Sequence, residues 1–123
     1  MFDFRLLVSA IVLVCLDALY LKVFGNYYSN QVARVQGSEI KVNYLAAVIC
    51  YIFLIIGLNY FIIRPHRSVS DAFLFGIVVY GVYETTNWAI FKNWSPISVI
   101  IDTLWGGTLF ALTTFIVHGF KLR

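Results

Sequence analysis

The sequence predicts an all-α fold: a polytopic transmembrane bundle of four antiparallel helices, with a short amphipathic surface segment between the first two. Two observations carry this. Of 123 residues, 61% are hydrophobic and 12% are charged, and the mean hydropathy is +0.85. A water-soluble chain of this size needs more polar surface than that. Four apolar runs, over about 6–24, 44–63, 72–91 and 97–117, are each 19 to 21 residues long. A helix needs ~20 residues to cross ~30 Å of hydrocarbon. A single integral membrane domain over 1–123 is therefore expected, with any function inside the bilayer, in the short loops or in a partner.

Each element has its own signal. The first run follows Arg5, but "LKVFGNYY" after it has no small-x-small cleavage pattern, so a retained helix is expected rather than a signal peptide. In "GNYYSNQVARVQG" (Gly25 to Gly37), Tyr28, Val32 and Val35 fall at helical spacing. Two readings fit equally: an amphipathic helix on the membrane surface stopped by Gly37, or an irregular loop anchored by its tyrosines. The second run has no charge and ends at Arg64-Pro65, because proline cannot continue the helical ladder. "SVSD" (Ser68 to Asp71) has the spacing of a capping box for the third helix. Ser95-Pro96 places a capping hydroxyl before a proline suited to the first position of the fourth. The short connections make helices two, three and four antiparallel neighbours. Cys15 and Cys50 are expected as small buried hydrophobes.

The net charge of +3 is scattered, so the basic residues read as interfacial anchors and nucleic acid is not a partner. Arg5, Arg64, Arg67, Lys121 and Arg123 share one side, against four basic residues on the other, a small bias toward cytoplasmic termini. His66 and His118 fall near helix ends on the side of the termini. Asn59 is expected to cap or bridge helices, and Trp88, Trp94 and Trp105 to form an aromatic belt or pack between helices.

The polar residues inside the runs are the candidate site. Counting along the helices at 1.5 Å per residue puts Asp17, Glu84 and Asp102 roughly 7–11 Å below one membrane face, with Tyr51 level with them. Gly76, Tyr80, Tyr83, Glu84 and Asn87 form one stripe; Ser98, Asp102, Trp105, Gly106, Leu109 and Thr113 form another; Asp17 and Tyr20 share a side. An ionisable group facing lipid costs on the order of 3 kcal/mol or more, so these stripes are expected to turn inward and meet. No Lys or Arg lies at that depth, and like charges without a basic partner cannot all stay ionised. The expected cluster is Asp17, Tyr20, Tyr51, Tyr80, Tyr83, Glu84, Asn87, Asp102 and Trp105. It either fixes helix register, with protons making up the charge, or holds a cation, a proton or a polar headgroup. No nucleophile–base pair, metal-like His/Cys set or cofactor motif accompanies it, which argues against catalysis.

"DALYL" (Asp17 to Leu21), "YGVYETTN" (Tyr80 to Asn87) and "DTLWGG" (Asp102 to Gly107), with "CYIF" in helix two, Gly57 and Pro65, resemble the small four-helix membrane proteins catalogued as domain of unknown function 2177. That family occurs in bacteria and large DNA viruses. The resemblance covers nearly the whole chain and makes Asp17, Tyr80, Gly81, Tyr83, Glu84, Thr86, Asn87, Asp102, Trp105 and Gly106 signature positions. The family commonly has aspartate where this chain has Glu84, so the carboxylate here reaches one methylene further. The resemblance brings no activity with it. The Lys, Ile, Asn and Tyr usage looks like the giant-virus branch, which implies a viral or virion membrane. Three readings follow: a structural or interaction component touching the bilayer, other membrane or capsid proteins or a second copy; a cation, proton or headgroup site; and an accessory subunit of a lipid-modifying system.

Overall fold

A computed structural model describes residues 4–38 and 41–119. Among them the chain forms four helices in the predicted order: α1 (Phe4–Gln36), α2 (Tyr44–Leu58), α3 (Val69–Ile90) and α4 (Pro96–Gly119). Ser68 Oγ accepts from Asp71 N at 3.0 Å, as its spacing signalled, and α2 is capped by Asn43, whose Oδ1 accepts from Ala46 N at 3.1 Å. Pro96 opens α4, with Ser95 Oγ accepting from Ile97 N at 3.2 Å. Ser68→Ala orphans the Asp71 amide, and a loss of about 1 kcal/mol is expected in chemical unfolding of the full chain in detergent. An unchanged midpoint would mean that the cap adds nothing.

The first element differs from expectation. The segment read as a separate surface helix or loop is the last third of α1, which runs unbroken through Gly25 and stops at Gly37, where φ is +78°. At 33 residues, α1 is about 50 Å long, well beyond a ~30 Å hydrocarbon core. Its final turns bring Tyr27 and Gln31 onto Ser95 and Ser98 at the start of α4, and Tyr28 onto Tyr20. α2 ends in a π-helical turn, Asn59–Ile63, in which Arg64 N donates to Asn59 O across five residues at 2.9 Å.

α3 and α4 form the tightest seam, antiparallel, with Gly76 against Gly106 and Gly107, and Gly81 against Thr103. α1 packs on α4 and on α2. α2 and α3, adjacent in sequence, meet through the Phe75 ring against Gly57 and Phe61. The apolar centre is Leu13, Leu58, Ile62, Ile63, Ala72, Leu109, Phe110 and Val117. Large apolar side chains such as Ile11, Leu19, Phe53, Leu74 and Phe115 face outward, the inverse of a soluble protein. Cys15 and Cys50 are also exposed, which corrects their expected burial: the packing of α1 and α2 leaves both side chains uncovered.

Three stretches, Phe4–Gln36, Tyr44–Ile63 and Pro96–Gly119, are long and apolar enough to cross a membrane. α3 is not among them, because Tyr80, Tyr83, Glu84, Thr85, Thr86 and Asn87 dilute its second half. Its run alone therefore does not establish a fourth crossing. Near the far end, His66 stacks on His118 with centroids 3.9 Å apart, and a His118 ring nitrogen meets Arg67 O at 2.9 Å. Lys121 and Arg123, which contributed to the charge bias, lie outside the described residues.

Candidate functional site

The polar stripes of α1, α3 and α4 converge. Asp17, Tyr20, Tyr80, Tyr83, Glu84 and Asp102 line one partly open cavity of about 170 Å³, together with Tyr28, Val32 and Trp94. Asp17 and Glu84 are buried, at 8% and 1% exposure, and Asp102 is half-buried. Each carboxylate reaches this place from a different helix, so the meeting is a property of helix rotation and packing and not of local chain.

The three acids are held in different ways. Asp17 is saturated: Trp105 Nε1 donates to its Oδ1 at 2.9 Å, and the Tyr51 hydroxyl donates to its Oδ2. Tyr20 stacks flat on Trp105, with centroids 4.6 Å apart and planes 1° from parallel, and its hydroxyl contacts both Tyr28 at 2.5 Å and Asp102 Oδ1 at 3.4 Å. Glu84 Oε1 accepts from Trp94 Nε1 at 3.0 Å. Glu84 and Asp102 line the same cavity from α3 and α4, where two bare anions would repel. No residue lining the cavity is basic.

Tyr51 and Trp105 therefore belong to the arrangement as supports of Asp17. Tyr83 sits at the edge, 57% exposed, and with Asn87 lines a neighbouring groove of about 320 Å³ that also borders on Val32 and Trp94. Asn87 does not line the acid cavity, and among the described residues it is joined to the cluster only through that edge.

The sequence reading missed the canopy. Gln31 is wholly buried; its Oε1 accepts from Ser95 N and Ser98 Oγ, each at 2.8 Å. Tyr27 donates to Ser95 Oγ at 3.2 Å, and its oxygen lies 3.0 Å from Ser98 Oγ, whose one proton is shared between Tyr27 and Gln31. These bonds pin the α3–α4 turn, where Asn93 has φ of +65°, and so position Trp94 over Glu84. Of the two expectations for Trp94, an aromatic belt or packing between helices, its 8% exposure fits the second, and it is a wall of the cavity. A stripe of Tyr27, Gln31 and Arg34 at helical spacing could have signalled a helix that continues, but Gly25 masked it.

An all-helical unit with an apolar exterior and a polar layer turned inward defines an integral membrane protein. The chain belongs to the domain of unknown function 2177 family, described as predicted membrane proteins, which matches it over residues 4–118. No curated protein and no solved structure matches it.

Proposed function

We propose that the protein binds an organic ammonium group in the cavity between α1, α3 and α4. The observation that carries this reading is the meeting of Asp17, Glu84 and Asp102 in the lining of one cavity that contains no basic residue. Among the described residues, no three His, Cys, Asp or Glu side chains are disposed around a single metal ion. A cation wider than a bare metal suits such spacing better. The lining is also rich in aromatic residues, Tyr20, Tyr28, Tyr80, Tyr83 and Trp94, the residue class that attracts ammonium groups. At about 170 Å³ the cavity has room for an ethanolamine-sized group; a water molecule's share of liquid volume is ~30 Å³. Glu84 and Asp102 are the residues that would carry the binding, since both oxygens of Asp17 are already engaged.

Tyr27 and Tyr28 engage Ser95, Ser98 and Tyr20 rather than offering a docking surface between the first two helices, which favours a binding site over a purely structural component.

The test is thermal unfolding of the full chain in nanodiscs at fixed pH and ionic strength. Ethanolamine, choline and sodium chloride are titrated in phosphatidylglycerol discs, and phosphatidylethanolamine discs are compared with them. A ligand that binds only the folded state stabilises it by about 2.7 kcal/mol at a hundredfold excess over Kd. Ethanolamine or choline should raise the midpoint where sodium does not. A rise in phosphatidylethanolamine discs without added amine identifies a lipid headgroup as the source. Glu84→Gln, which keeps an acceptor for Trp94, and Asp102→Asn should each abolish the response. A wild-type midpoint indifferent to every amine and lipid would leave the acids as protonated register-setting groups in a structural protein.

A further inference from the structure

A second polar layer lies eight residues along the helices from the first. Tyr51 of α2 meets Asp17 of α1, and two turns further Asn59 meets Ser9, its Nδ2 donating to Ser9 Oγ at 2.7 Å. On α4 the same step from Trp105 reaches Thr113. Ser9, Asn59, Thr113 and Thr114 are all buried, with exposures of 1%, 4%, 0% and 0%. Leu13, Leu109 and Phe110, also wholly buried, separate this layer from the acids, so it is a distinct site.

Its hydrogen bonds do not close. Ser9 Oγ is occupied, donating to Leu6 O at 2.9 Å and accepting from Asn59. Asn59 Nδ2 also donates to Ile55 O at 2.8 Å. Among the described residues, Asn59 Oδ1, Thr113 Oγ1 and Thr114 Oγ1 have no hydrogen-bond partner. A buried polar group without a partner costs about 1–3 kcal/mol, and native structures almost always satisfy such groups through protein or ordered water. The orphans are chemically complementary: a carbonyl oxygen that needs a donor, and hydroxyls that can give and take. The π-helical turn that starts on Asn59 adds a local break in the α2 ladder at the same level, a feature frequent at functional sites.

We propose that this layer is a binding site for ordered water, with a bound molecule donating to Asn59 Oδ1 and accepting from the Thr113 hydroxyl. Such a molecule needs two to four polar partners, which this layer offers and the apolar layer above it does not. The site is independent of the ammonium reading and stands or falls separately.

Radiolytic hydroxyl footprinting of the full chain in nanodiscs tests it, because bound water generates radicals beside side chains that bulk solvent cannot reach. Leu58 and Ile62, which flank Asn59 in sequence, should be oxidised well above Leu13, although Leu13 and Leu58 are equally buried. Thr113→Val keeps the shape and removes the hydroxyl; it should bring Leu58 and Ile62 down to the level of Leu13. Asn59→Leu should give the same fall. Oxidation of Leu58 and Ile62 no greater than that of Leu13 in the wild type overturns the proposal, as does a rate unmoved by either variant.

Discussion

Gly76→Ala is expected to force α3 and α4 apart and to cost about 3 kcal/mol, the upper end for overpacking a close-packed core. A Cβ on Gly76 would lie 2.2 Å from Gly106 O, 2.6 Å from Gly106 C and 2.8 Å from Gly107 Cα. All three are backbone atoms, so no rotamer change relieves the contact. The reciprocal Gly106→Ala meets the root of the Tyr80 side chain, with Cγ at 2.2 Å, and should cost nearly as much. Gly25→Ala is the control. It sits inside α1 with nothing within 4 Å of its added carbon, so a gain of about 0.5–1 kcal/mol is expected from helix propensity alone. Denaturation of the three variants in one mild detergent measures the contrast. Equal effects at Gly25 and Gly76 would refute the seam. The seam also bears on the site, since α3 carries Glu84 and α4 carries Asp102; Gly76→Ala should therefore lose any amine response together with stability.

Asp17→Leu is expected to be the most damaging change within the polar layer. It strands two donors at once, the Tyr51 hydroxyl and Trp105 Nε1. At about 1–3 kcal/mol for each unsatisfied buried group, the loss should be on the order of 3 kcal/mol. Asp17→Asn keeps one carbonyl acceptor and should cost less. The diagnostic variant is the double change: adding Tyr51→Phe to Asp17→Leu removes one stranded donor and should restore part of the lost stability. If Tyr51→Phe does nothing in that background, the Tyr51–Asp17 bond is not what anchors α2 to α1. Asp17→Asn should also keep a response to amines that Glu84→Gln and Asp102→Asn lose, because Asp17 is a positioning residue and the other two carry the charge.

The contrast between Trp94 and Pro96, two residues apart, shows how legible this protein is. Pro96 opens α4 as its sequence context requires, because a fixed φ and a missing N–H act on the residue's own backbone. Trp94 turns inward to Glu84 because Gln31 and Tyr27, more than sixty positions away in sequence, hold its turn. Cys15 and Cys50 show the same limit. Their depth along the helix was readable, but the side they face follows from where α1 and α2 touch the rest of the bundle. Gly25 misled for a related reason. Glycine weakens a helix by well under the sum of the hydrogen bonds that Tyr27 and Gln31 make to Ser95 and Ser98, so tertiary contacts carry α1 through it.

By itself the sequence determined the number of helices and most of their ends. Caps are local chemistry, so they can be read in one dimension. Only the tertiary structure decided which tyrosine or tryptophan holds which carboxylate, how far α1 continues and which polar groups are left without a partner. Those depend on the rotation of each helix about its axis, which is set by packing against its neighbours: glycine against backbone in the α3–α4 seam, and Tyr20 flat on Trp105 between α1 and α4.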